Sequence, residues 1–407
     1  MKHTVVVLFV VSAFALGSRT FAYRSVAAGH RTDRTSVDRV GPPSASGVRG
    51  GAQLQSAPRT TADGSGEIAI RKSVTSLTIA ERKEFVDAIV ALKAAKSPYD
   101  PSLSYYDQFV QWHKERYACH AAESASGEHT MLMIHAGPMF LPWHREFLRR
   151  FENALRDVSG KTIAVPYWDW ADPASIDSNS PTAVFKEDFM GGDGDPAQQY
   201  AVTTGRFKKG EWTLNILPEG ATWAPSATTY LTRRLGRPQA LPTKDQVEAL
   251  LAIGDYDVPP YTAGSDREKS FRNALEGNGT GTGMLCGADG WMAWEFDLGI
   301  TSSIASGRTT LHNLIHGWVG GSLSPGPARP PIRGTMVLPT SPNDPVFFLH
   351  HANVDRLWAT WQGMHPGKTY EPKTGQQGNN ADSAMAPFGD VNPRLVEDIN
   401  NLGYRYR

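Results

Sequence analysis

The segment Leu311-His-Asn-Leu-Ile-His-Gly-Trp-Val319 constrains this chain more than any other. Its apolar residues follow helical spacing. His312 and His316 stand four apart, so their imidazoles leave one face of a helix, one turn from each other. Two imidazoles in an apolar helix are two costly buried polar groups unless something binds them. A metal ion would satisfy both. A third candidate, His351, follows in Phe347-Phe-Leu-His-His-Ala-Asn-Val354, and upstream His113, His135 and His144 form a second set. The last two of these bracket the run Ala136-Gly-Pro-Met-Phe-Leu-Pro-Trp143. Three neutral imidazoles with no thiolate or obvious carboxylate suit copper or zinc far better than magnesium or calcium. Two such triads point to a binuclear centre and to metal chemistry, with redox first.

The histidines do not carry equal weight. A lone histidine on an apolar helical face, such as His113, is more often a hydrogen-bonded core residue than a ligand. His135 and His144 are weak as a pair and gain force from the run between them. His350 and His351 compete for one position, because adjacent helical residues diverge by about 100°. His120 and His129 are reserve candidates near the first set, and His3, His30 and His365 look incidental.

Composition removes several classes. Forty per cent hydrophobic and twenty per cent charged is ordinary globular composition. Forty-one basic residues balance forty-one acidic ones, which argues against nucleic acid or another polyanion as partner. The start, Met1-Lys-His-Thr followed by an apolar run from Val5 to Leu16, predicts a signal peptide over 1–22 and a secreted protein. That run is shorter than the about 20 residues of a membrane span, and no other stretch could cross a membrane. Residues 23–66, with six arginines against three acidic residues, read as a disordered leader or linker. The remainder, 67–407, reads as the catalytic domain. Cys119 and Cys286 are compatible with one disulfide or with two free thiols.

Helical signals dominate that remainder. Thr78-Ile-Ala-Glu81 is a capping box, after which Phe85, Ile89 and Leu92 recur at helical spacing. Tyr106, Phe109 and His113 share one helical face; His144, Leu148, Phe151 and Leu155 share another. Leu311 to Val319 and Pro345 to Gln362 are the two further helices. The expected fold is mainly α: a four-helix bundle core holding a binuclear metal site between facing helices. Segments 171–240 and 320–345, rich in Gly, Pro, Asp and Ser, predict long irregular loops with few short strands.

The stretches Phe140-Leu-Pro-Trp-His-Arg-Glu-Phe147, Val165-Pro-Tyr-Trp-Asp-Trp170 and Asn343-Asp-Pro-Val-Phe-Phe-Leu-His-His-Ala-Asn-Val-Asp355 resemble signatures of the tyrosinase family. That family comprises the type 3 binuclear copper proteins: tyrosinases, catechol oxidases and the oxygen carrier haemocyanin. The resemblance runs from roughly 70 to 407 and is nearest to the compact bacterial members. It implies two copper ions, one on His113, His135 and His144 and one on His312, His316 and His351, the second histidine of its pair. It implies dioxygen and small phenols as substrates, ortho-hydroxylation of monophenols, oxidation of catechols to o-quinones, and melanin-like pigment downstream. A catechol or o-aminophenol oxidase without the hydroxylation is the runner-up; an oxygen carrier or a zinc hydrolase is further off.

Glu276 and Asn313 resemble the family's pair thought to hold a water that takes the phenol's proton. Asp355, one turn after His351, either accepts a hydrogen bond from an imidazole or pairs with Arg145 or Arg356. The Cys-x-His pattern of some fungal and plant members is absent. Tyr404-x-Tyr406 resembles the end of the family's catalytic domain, so no C-terminal shielding domain is expected. Compact bacterial members are often exported with a small copper-delivering partner, which makes such a chaperone a candidate partner here. The segments 277–309 and 320–340 are longer than in that group and would reshape the substrate entrance.

Overall fold

In the computed structural model the described residues are 68–117, 134–221, 223–236, 240–277, 311–323, 332–375 and 377–407, with the backbone of short strands at 121–123, 129–131, 285–286 and 292–293. All of them belong to the unit Gln53–Arg407. The expected signal peptide, the leader, Cys119, the side chains of His120, His129 and Cys286, and most of 277–309 lie outside the described residues.

Seven α-helices occur among the described residues: α1 (Ile79–Ala94), α2 (Tyr105–Glu115), α3 (Phe140–Ser159), α4 (Lys244–Leu251), α5 (Phe271–Glu276), α6 (His312–Gly320) and α7 (Val346–Met364). Their ends are set by local chemistry. The predicted capping box is present at α1: the Thr78 side chain accepts from Glu81 N–H and Glu81 accepts from the Thr78 backbone. Ser104 caps α2 by accepting from Asp107 N–H. Gly160 ends α3 at φ 64°, a left-handed conformation that a Cβ would disfavour. Helices α2, α3, α6 and α7 carry five of the six predicted metal-binding histidines, His135 lying on the loop just before α3, and they pack together as the expected bundle, with α1 covering α2 and α3 from outside.

The bundle core is aromatic. Phe109 of α2 meets Phe147 and Phe151 of α3 edge-on, at centroid distances of 5.5 and 5.3 Å. Phe348 of α7 lies parallel to Phe147 at 5.8 Å. Edge-to-face and offset pairs of this kind add about 0.5–1.5 kcal/mol each beyond the area they bury. They fix the rotation of three metal-bearing helices about their own axes, and so the direction of their histidines.

Among the described residues strands are few and short, as expected: β1 (Ala69–Arg71), β2 (Ala121–Glu123), β3 (His129–Met131), β4 (Gly194–Asp195), β5 (Ala201–Val202), β6 (Leu285–Cys286), β7 (Met292–Ala293) and β8 (Tyr404–Tyr406). They form four two-stranded pairs. The parallel pair β1–β8 matches Ala69 with Tyr404 and Arg71 with Tyr406. One loop segment is held by close backbone approach. A Cβ on Gly334 would lie 2.1 Å from the Gly320 carbonyl oxygen, so the end of α6 sits directly against 334–337. That approach brings the Met336 carbonyl beneath His316.

Candidate metal centre

Three of the six predicted ligands are oriented by main-chain carbonyls. His113 donates from Nδ1 to the Pro339 carbonyl at 2.8 Å, His144 to Phe140 at 2.8 Å and His316 to Met336 at 2.5 Å. A carbonyl only accepts, so each of these imidazoles carries its proton on Nδ1 and presents the Nε2 lone pair on the opposite edge. His312 is fixed the same way by the Asn313 side-chain oxygen, 2.9 Å from its Nδ1. Outer hydrogen bonds of this kind set tautomer and direction in metal-binding histidines.

The lone pairs converge. His113, His135 and His144 form one buried group, and His312, His316, His350 and His351 form another, each with candidate ligand atoms within 4.8 Å of one another. The Nε2 atoms of His312 and His316 are 3.0 Å apart, and those of His312 and His351 are 3.3 Å apart. Nitrogens bound about 2.0 Å from one tetrahedral ion stand about 3.3 Å from each other. In His312 and His316 both Nδ1 protons are committed elsewhere, so two lone pairs face each other at 3.0 Å. Without a cation that arrangement is repulsive; with one it is a chelate. In the first group, the buried Nε2 atoms of His113 and His144 have no hydrogen-bond partner. Both groups therefore fit a metal ion.

The two groups abut. His144 of the first stacks on His351 of the second at 4.3 Å and 17°. Burial holds all seven imidazoles below the ordinary histidine value, His144 at about 3 and His316 at about 4. They are thus neutral at physiological pH, the form that binds a metal.

His350 is also in the second group, beyond the single member expected from the His350-His351 pair. Its ring lies parallel to His312 at 4.9 Å and packs on Trp170 at 5.1 Å. Neither of its nitrogens has a hydrogen-bond partner. His365 lies away from both groups and contacts the Leu251 carbonyl at 2.8 Å. The orienting carbonyls of Pro339 and Met336 carry no sequence signal, because any residue supplies one. Tyr117 does carry one: it lies one helical turn beyond His113, and its ring packs 4.3 Å from His135.

Asp355 takes the ion-pair alternative. It accepts from Arg145 Nε at 2.5 Å, Arg71 Nη1 at 3.1 Å, and the hydroxyls of Tyr404 and Tyr406 at 2.6 Å each. Arg356 pairs instead with Asp169 at 3.3 Å. Arg145 directly follows His144, and Asp355 is one turn beyond His351, so this buried cluster ties the α3 ligand to the α7 ligand. Glu276 and Asn313 are both buried at the site. Glu276 accepts from the Ala136 backbone N–H and from Arg272, while Asn313 serves His312.

A family model, the common central domain of tyrosinase, matches residues 103–364. A tyrosinase of Streptomyces antibioticus is 34% identical over 333 residues, covering 81% of this chain and 96% of that protein. The grixazone synthase of Streptomyces griseus is 32% identical over 310 residues, 73% of this chain and 85% of its own length. Among solved structures, a polyphenol oxidase of Thermothelomyces thermophila aligns with a TM-score of 0.49 at 26% identity, covering 75% of this chain and 74% of that one. The matched domain contains all seven clustered histidines, and the tyrosinase family is a type 3 binuclear copper family. The chain belongs to that family and is a tyrosinase-like copper oxidase.

Proposed function

We propose that His113, His135 and His144 hold one copper ion and His312, His316 and His351 the other, and that the protein both ortho-hydroxylates monophenols and oxidises catechols to o-quinones. The observation that carries this reading is the facing pair of Nε2 lone pairs on His312 and His316, 3.0 Å apart, beside a second imidazole group with unpartnered Nε2 atoms. When bound, the copper pair supplies electron transfer to dioxygen, which a family of this chemistry uses together with phenols. The chain's residues supply the rest. Phe140, Phe347 and the carbonyl-anchored rings give a rigid, apolar surround that keeps bulk water from the reacting groups.

Proton handling separates the two activities. A phenol has a pKa near 10, so only about one molecule in a thousand is ionised at neutral pH. A positioned base contributes typically ~10²–10⁴-fold to such a step. Glu276 and Asn313 are the residues we assign to holding a water that accepts this proton. Glu276 is buried against the loop that carries His135, and Asn313 is bonded to His312, which places one residue beside each group.

Catechol oxidation alone is the second reading. The engagement of both Glu276 oxygens and of Asn313 Oδ1 by protein donors favours it. Steady-state rates on a matched phenol and catechol pair decide between them. Glu276→Gln and Asn313→Leu are expected to lower monophenol hydroxylation far more than catechol oxidation, with copper content unchanged. A parallel fall in both would make the two residues structural supports. Melanin-like pigment follows from spontaneous quinone polymerisation.

We further propose that residues 1–22 direct export and are removed, that 23–66 is a leader ahead of the catalytic domain 67–407, and that a small copper-delivering partner loads the site. Among the described residues no helix is long and apolar enough to cross a membrane. The intact mass of the exported protein, and copper loading with and without a candidate partner, test these points.

A further inference from the structure

His135 is held differently from the other anchored rings. His113, His144, His312 and His316 each have a bonded Nδ1, whereas the buried Nδ1 of His135 has no hydrogen-bond partner. No hydrogen bond at Nδ1 fixes its tilt, a state it shares with His351 among the six proposed ligands. Its direction is inherited from the backbone of the loop 134–139. That loop contains a left-handed turn at Ala136, with φ 58°, a conformation a non-glycine residue keeps only when its neighbours over-determine it.

Two buried neighbours do so. Glu276 accepts from Ala136 N–H, and the Tyr256 hydroxyl donates to the Pro138 carbonyl at 2.7 Å. Both come from one buttressed segment. Arg272 Nη1 reaches Glu276 Oε2 at 3.3 Å, while its Nε and Nη2 fork onto Asp257 Oδ2 at 3.0 and 2.6 Å. Asp257 directly follows Tyr256 and also accepts from Ser270 Oγ at 2.7 Å. The chain Glu276–Arg272–Asp257 therefore fixes the two clamping groups relative to each other. All three charged groups are buried.

We propose that Glu276 and Tyr256 are positioning residues for the first metal group, holding His135 through the backbone of Ala136 and Pro138. This rests on the reading of His135 as a copper ligand. It gives Glu276 a role that its oxygen performs whether or not it also helps a proton leave, and it makes the first copper's retention depend on the α5 segment. The second group has anchors of its own, the Met336 carbonyl and the Asn313 side chain.

The test is copper release from the loaded protein into excess chelator, with copper counted per chain, using Tyr256→Phe, Glu276→Gln, Glu276→Leu and His135→Ala. Tyr370→Phe is the control: it deletes a tyrosine–carbonyl bond to Asn379 and packs on Tyr256 at 5.1 Å, but its hydroxyl bonds away from the His135 loop. Loss of one neutral hydrogen bond predicts about a five-fold faster release of one copper in Tyr256→Phe, and loss of a charged acceptor about ten-fold or more in Glu276→Leu. The second copper keeps its wild-type rate in both. Glu276→Gln, which retains an oxygen for Ala136 N–H, stays within about two-fold of wild type. Wild-type release in Tyr256→Phe and Glu276→Leu, or equal acceleration of both coppers, overturns the clamp. His135→Ala separates the two layers. If it keeps both coppers, the ligand reading fails and takes the proposal with it. If it loses one copper while the clamp variants release normally, only the clamp fails.

Discussion

Replacing Asp355 by alanine removes an acceptor that four buried donors share: Arg145, Arg71, Tyr404 and Tyr406. Breaking a buried ion pair from one side costs about 3–5 kcal/mol, because the remaining charge stays buried without its partner. Here both arginines keep other contacts. Arg71 retains Glu152 at 2.9 Å; Arg145 retains the carbonyls of Val396 and Glu397 at 3.1 and 2.7 Å and stacks on Trp358 at 3.6 Å. The expected loss is therefore at the lower end, about 3 kcal/mol, a large share of the ~5–15 kcal/mol that stabilises a typical native protein. Tyr404→Phe deletes one donor and leaves the carboxylate three, so its expected loss is about 1 kcal/mol. Urea unfolding of the metal-free proteins measures both without the contribution of bound copper. An Asp355→Ala loss no larger than that of Tyr404→Phe would refute the view that this cluster locks α3 and α7 together through the β1–β8 strand pair.

The same carboxylate sets a pH dependence. Burial alone would raise the Asp355 carboxyl, but Arg145, Arg71 and the two tyrosine hydroxyls hold it below its ordinary value of 3.8. A depressed folded-state value stabilises above the unfolded pKa and loses that stabilisation as pH falls through the folded one, so its contribution is complete above about pH 4 and disappears below; a wild-type minus Asp355→Ala stability difference that shrinks only below that pH is the expected result. His312→Ala or His316→Ala is expected to abolish oxidation of catechols and monophenols alike while the chain still folds, seen as a normal far-ultraviolet spectrum and lost copper; two coppers and catechol turnover in either variant would remove it from the ligand set. His351→Ala should lose copper far more completely than His350→Ala, because His351 Nε2 lies 3.3 Å from His312 Nε2 and its ring stacks on His144 of the first group, whereas His350 stacks on His312 and packs on Trp170; metal analysis showing the reverse order would exchange the two.

The helices and their inward faces were legible because periodicity and capping are local. Thr78 and Glu81 announce α1, and the His312–His316 spacing announces a chelate, without reference to the rest of the chain. The orientation of the ligands was not legible. The carbonyl that fixes His113 belongs to Pro339, 226 residues away, and a carbonyl leaves no mark in a sequence. Asp355 had two partners open to it, imidazole or arginine, and only the pairing of β1 with β8 delivers Arg71, Tyr404 and Tyr406 to its other oxygen. His350 shows the limit of helical geometry as an argument. Neighbouring residues diverge by about 100°, yet a group packed between α6 and Trp170 still comes within reach of the cluster. The tie from Tyr256 to Pro138 spans 118 residues and ends on a loop carbonyl, which leaves no mark in a sequence.

Copper stoichiometry tests the central claim most directly. The protein is loaded with copper and freed of excess metal, and metal per chain is then measured for wild type, His113→Ala and His316→Ala. Two separate imidazole groups predict two coppers in wild type and one copper retained in each variant. One copper in wild type, or loss of both from His113→Ala with no residual binding at His312, His316 and His351, would contradict two adjoining three-histidine sites.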